Sequence, residues 1–118
     1  MRDILSGEES LKDVKVNLDI SHWVVCLERI FATESSAQEN GPVDEWWHES
    51  LKELQDRCYM IHARVGYGEG PQVPDPAAPE YANEVNAHMM YWEGVLKGMI
   101  AKERVCYVEP EFGPWPYQ

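Results

Sequence analysis

Cys58-Tyr-Met-Ile-His-Ala-Arg-Val65 decides the fold. It is a near-continuous apolar run, as a strand buried on both faces of a parallel sheet requires. A helix pattern precedes it. Asp44 can cap a helix to about Arg57, with Trp47, Leu51 and Leu54 as its inner stripe and Lys52, Glu53 and Asp56 toward water. A long segment, residues 66–80, follows it, with four Pro and three Gly. That composition predicts an irregular but stiff loop, and long ordered loops are more often functional than short ones.

Working outward, Val14-Lys-Val-Asn-Leu-Asp19 alternates and reads as a first strand. Ser21 can cap a helix over Trp23–Phe31, and residues 32–43 have loop composition. Beyond the long loop, the spacing predicts a helix from Tyr81 to Lys102 with Val85, Met89, Trp92, Leu96 and Met99 on one side. Trp46, Trp47, Met89, Met90 and Trp92 read as core, and His48 and His88 as surface or packing residues. Arg104–Glu109 reads as the last strand. The order β-α-α-β-loop-α-β argues for parallel βαβ units with right-handed crossovers, in one domain over residues 1–118.

Composition limits the function. The chain has 118 residues and is 44% hydrophobic, with five Trp and six Tyr, so it is composed for folding. A net charge of −11 repels phosphate backbones and disfavours nucleic acid. Cys26, Cys58 and Cys106 are odd in number, lack metal-finger spacing and lie in or beside apolar segments. They read as buried free thiols in a reduced, cytoplasmic compartment. No stretch approaches membrane-spanning length, and the first residues lack the apolar run of a signal peptide.

Three predicted strands end in residues that can bind metal: Asp19-Ile-Ser-His22, His62-Ala-Arg64 and Glu109-Pro-Glu111. Function in βα barrels sits where strands end and loops begin. A carboxylate, an imidazole and a second carboxylate suit Mn, Mg, Co or Zn. Each residue also has a plainer use. Asp19 is a favoured helix cap, His22 can simply start a helix, His62 can be a core histidine, and Glu109 or Glu111 an exposed carboxylate. Arg64 can orient an anionic or hydroxylated substrate group or form a structural ion pair. The Gly66-Tyr-Gly-Glu-Gly70 run lacks the Gly-Lys-Ser/Thr of a phosphate loop, so its glycines serve a tight turn.

Ile61-His-Ala-Arg-Val-Gly-Tyr-Gly-Glu-Gly-Pro-Gln-Val-Pro-Asp-Pro76 resembles the signature of a group of sugar phosphate isomerase/epimerase proteins in the xylose isomerase-like TIM-barrel superfamily. Leu18-Asp-Ile-Ser-His-Trp23 and Pro110-Glu-Phe-Gly-Pro114 are similar to that group's other two motifs. The resemblance runs the whole chain, in order. It implies an α/β fold, a partial (β/α) TIM barrel of about three parallel strands. A full barrel takes about 250 residues, so the match is to the C-terminal portion.

The resemblance further implies a divalent metal on Asp19, His62 and Glu111, with Glu109 as the alternative to Glu111. It makes Glu111 and His22 catalytic, and Arg64 and Glu69 substrate-binding. The activity implied is isomerisation or epimerisation of a sugar or sugar phosphate, by proton transfer through an enediolate. A first glutamate ligand, also the second proton-transfer group, is expected on an earlier strand. A non-catalytic barrel fragment, or a subunit needing a partner chain, is the alternative, and open sheet edges predict self-association or a complementing chain. An endonuclease IV-like phosphodiesterase fits less well, because residues 66–79 offer only Glu69 and Asp75 as further ligands.

Overall fold

The structure is a computed structural model that describes residues 13–28 and 42–114, without the side chains of 42–48 and 51. The expectations for residues 1–12, Phe31, the loop at 32–41, Trp46, Trp47, His48 and Leu51 lie outside the described residues. The elements are β1 (Val16–Leu18), α1 (Ile20–Leu27), α2 (Pro42–Arg57), β2 (Cys58–His62), α3 (Ala82–Ala101) and β3 (Tyr107–Glu109). A 3-10 turn over Pro79–Tyr81 leads into α3. The three strands form one parallel sheet in the order β1-β2-β3, and the chain is α/β as the pattern of elements predicts.

Parallel register carries the strand ends to one level. Leu18 pairs with Ile61, and His62 pairs with Glu109. The Ala63 N–H donates to the Glu109 carbonyl at 2.6 Å, extending the ladder one residue past β2. One core cluster unites Val16, Leu18, Ile20, Val24, Leu54, Cys58, Ile61, Ala87, Tyr91, Val95 and Met99. Burial on both faces of β2 is not what results: Tyr59 is 43% exposed, and β3 is exposed along its length.

Two local expectations need correction. First, α1 starts three residues earlier than the sequence reading places it. Asp19, not Ser21, is its N-cap, because the Asp19 carboxylate accepts the Ser21 N–H at 3.0 Å and leaves Ser21 inside the first turn. Second, α3 is rolled away from the predicted stripe. Ala87, His88, Tyr91, Val95 and Met99 are buried, while Met89 and Leu96 are exposed.

His88 is part of the reason for the roll. Its Nδ1 lies 2.7 Å from the Glu84 carbonyl, and its Nε2 accepts the Gly66 N–H at 3.2 Å. One neutral tautomer satisfies both bonds, and they turn this polar side chain inward. Cys26 is also exposed, contrary to the buried-thiol reading, whereas Cys58 is buried and Cys106 half-buried. Among the described residues, no helix is long and apolar enough to cross a membrane.

Candidate metal centre at the strand ends

Asp19 leaves β1 as the cap of α1, so its carboxylate is fixed by the helix it starts. One oxygen, Oδ1, accepts from the Ser21 N–H and from the Ser21 hydroxyl. The other, Oδ2, meets Arg64 Nη2 at 2.8 Å and His62 Nδ1 at 3.5 Å. Burial opposes the charge on Asp19, but the Ser21 hydrogen bond, Arg64 and His22 outweigh it and hold the carboxyl below its usual range.

Arg64 is 0% exposed, and its guanidinium is a hub. Its Nε donates to Ser21 Oγ at 3.1 Å, and its Nη2 lies 3.1 Å from His22 Nε2 and 3.6 Å from Glu111 Oε2. Of the two roles open to Arg64 in the sequence, this geometry serves the ion pair. The planar fork ties Asp19, Ser21 and His22 together from below.

Glu111 arrives from the other side. Its backbone has φ 50°, in the left-handed region that L-residues avoid. This carries its carboxylate back over His62, with Oε2 2.7 Å from His62 Nδ1. The distance alone would suit a hydrogen bond, but the direction does not: Oε2 is buried with no hydrogen-bond partner. Glu109 stands farther off, with Oε2 3.7 Å from His62 Nε2 and its side chain 56% exposed. The geometry therefore sets Glu111 among the donors and Glu109 outside them.

Asp19, His62 and Glu111 each offer one donor atom, all within 4.8 Å of one another. They are the residues that could hold a metal. Two carboxylates and one guanidinium leave a net negative charge at the cluster when both histidines are neutral. The oxygen–nitrogen–oxygen donor set suits Mn, Co or Zn, with Mg the hardest of the candidates. Glu111 Oε2, which makes no hydrogen bond, faces the other two donors.

His22 joins the cluster's rim, 3.4 Å from Asp19 Oδ2 and largely exposed. Glu69 is not brought there. It lies on the turn closed by the Tyr67–Gly70 bridge and lines an open hollow with Val25, Glu28, Tyr67, Gly68, Glu80 and Tyr81.

Sequence reasoning missed three residues at or beside the cluster. Asn17 places its amide nitrogen 2.7 Å from His62 Nε2. Ser21 is buried between Asp19 and Arg64. Gln72 is fully buried and bonds the backbone beyond Glu111. A polar side chain inside an otherwise apolar or Pro-rich stretch was the available signal for Asn17 and Gln72. No family model matches the chain, and no curated protein or solved structure matches it.

Proposed function

We propose that this chain is the C-terminal portion of a xylose isomerase-like barrel, holding a divalent metal on Asp19, His62 and Glu111. In this reading it serves isomerisation or epimerisation of a sugar or sugar phosphate. The observation that carries it is the buried Glu111 Oε2, which has no hydrogen bond although it faces His62 Nδ1 and the Asp19 carboxylate. A buried carboxylate oxygen without a hydrogen bond is costly even with the Arg64 guanidinium 3.6 Å away, and a cation relieves it. The parallel sheet with its cluster at the strand ends agrees with a barrel segment.

A bound divalent metal would polarise adjacent substrate oxygens and so acidify the carbon between them. The protein's own residues do the rest. Nδ1 of His62 must be bare to act as a donor, with its proton on Nε2, where Glu109 stands at 3.7 Å and the Asn17 amide must turn its oxygen inward to accept it. Glu111 is one proton-transfer carboxylate, and His22, exposed on the rim, reaches toward substrate. Arg64 holds Asp19 from beneath rather than touching substrate. A second proton-transfer carboxylate is needed from outside the described cluster.

A second reading, in which the chain works as a subunit with a complementing chain, rests on the open sheet edges. β1 and β3 are the outer strands of the described sheet, and Tyr107 and Val108 on β3 are exposed.

Thermal melts with and without Mn, Mg, Co or Zn test the metal. At a hundredfold excess over the dissociation constant the stabilisation is about 2.7 kcal/mol. The expected result is a raised midpoint that His62→Ala abolishes. A shift that survives His62→Ala, or no shift with any of the four, overturns the assignment. Turnover on ketose and aldose panels separates the two readings: activity of the chain alone supports the first, and activity only with an added chain supports the second.

A further inference from the structure

We propose that Gln72 is a positioning residue for Glu111, a primary amide that clamps the strap carrying this ligand and sets the affinity of the metal site. The inference rests on the metal reading above and explains a part of the long loop that the reading leaves without a role.

The strap is the five-residue segment Glu109–Gly113, and it is tied at both ends. At the first, the Glu109 carbonyl accepts the Ala63 N–H at 2.6 Å. At the second, Gln72 Nε2 donates to the Gly113 carbonyl at 2.9 Å, and the Gly113 N–H donates to Gln72 Oε1 at 2.8 Å. Glu111 sits midway between the ties, at φ 50°. A non-glycine residue keeps such a backbone only where its surroundings over-determine it. Two ties, two residues away on either side, do so.

The chemistry of the clamp explains the residue type. One side chain must donate to a carbonyl and accept from an N–H of the same residue, as a neighbouring strand would. A carboxamide does both without charge, from an oxygen and a nitrogen held side by side in one plane. Gln72 is 0% exposed, so neither bond competes with water.

The clamp is itself anchored. The Val73 N–H donates to the Val65 carbonyl at 2.8 Å, and Tyr67 and Gly70 exchange two backbone bonds at 2.9 and 3.2 Å. Val73 is also fully buried. Pro71 and Pro74 flank the pair and fix their own φ. The loop after β2 is therefore a rigid bracket rooted just beyond His62 and Arg64, and its far end holds Glu111 over His62. A ligand on β2 and a ligand past β3 are set against each other by one side chain 41 residues from the glycine it grips.

The experiment measures Mn2+ affinity, by the paramagnetic resonance of free Mn2+, for wild type, Gln72→Met, Val95→Ala, Glu111→Gln and Gln72→Met/Glu111→Gln. Met keeps the volume of Gln and removes both bonds. Outer partners of metal ligands typically set affinity by about 10- to 100-fold, and a loss of that size is expected for Gln72→Met. Val95→Ala disturbs the packing of α3 in the core, away from the loop and the strap, and is expected to keep the wild-type affinity. The double variant is expected to bind no more weakly than Glu111→Gln alone, since Gln72 acts through Glu111.

Wild-type affinity in Gln72→Met, an equal loss in Val95→Ala, or additive losses in the double variant overturns the proposal. If wild type binds no Mn2+, the clamp is decided on the metal-free protein. There, Gln72→Met should speed exchange of the Gly113 amide proton and shift the His62 ring resonances. Unchanged exchange and resonances overturn the clamp.

Discussion

Asp19 and Glu111 present the same chemical group to the same histidine, yet one is anchored in the core and the other on exposed chain. Asp19 stands on a helix cap, against a fully buried Arg64 and next to β1 and β2, whose side chains fill the core. Glu111 follows β3, none of whose residues is buried, and depends on a backbone tie and an amide clamp. The difference teaches where stability and binding separate. Changes on the Asp19 side should be read in the folding equilibrium, and changes on the Glu111 side chiefly in ligand affinity.

The strongest test of that division is Arg64→Met. Removing the guanidinium leaves the Asp19 anion without its buried cationic partner, and breaking a buried pair in this way costs about 3–5 kcal/mol. Urea unfolding measures it. A cost within about 0.5 kcal/mol, the range of an ordinary surface change, would break the comparison.

Gly66→Ala comes next. A Cβ there would lie 2.8 Å from both the Cα and the carbonyl oxygen of Ser21, which is backbone that cannot swing aside. Overpacking of this kind costs about 1–3 kcal/mol. A melt as stable as wild type would show that the first turn of α1 yields, and that the Asp19 side is softer than its burial implies.

The smallest effect is a pH dependence confined to the packed side. Burial lowers the pKa of His88 below the ordinary imidazole value of about 6.5, against the opposing pull of the Glu84 carbonyl and Asp19. The unfolded chain then takes up the proton first as pH falls. The stabilisation is complete above about pH 6.5 and is lost as pH drops from there toward the folded-state value. Urea midpoints between pH 7.5 and 5.5 should fall with pH, and His88→Gln should flatten that slope. An unchanged slope in the variant would remove His88 as its source.

How much of this was legible in the sequence follows the same division. The order of elements, the parallel pairing and the strand-end donors could be read from periodicity and from residue types at fixed places. The buried face of α3 could not. Val85, Met89 and Leu96 are larger apolar choices than Ala87, but hydrogen bonds from His88 to Gly66 and Glu84 select the rotation. Periodicity counts apolar groups and is blind to such bonds. The Asp19 cap and the Arg64 ion pair were open alternatives that the fold unites, since the same carboxylate caps α1 and meets the guanidinium. The Gln72 clamp was hidden for another reason. It joins segments 41 residues apart, and nothing local in either announces the other.

The three cysteines become tools once their settings differ. Burial, reinforced by the nearby Cys106, pushes the Cys58 thiol up to about 11, so almost none of it is thiolate at neutral pH. Cys26 lies exposed on α1. Alkylating reagents will therefore mark the surface of α1 in the native protein and reach Cys58 only when the sheet opens, so that one chain carries both a fluorophore attachment point and a chemical clock for unfolding.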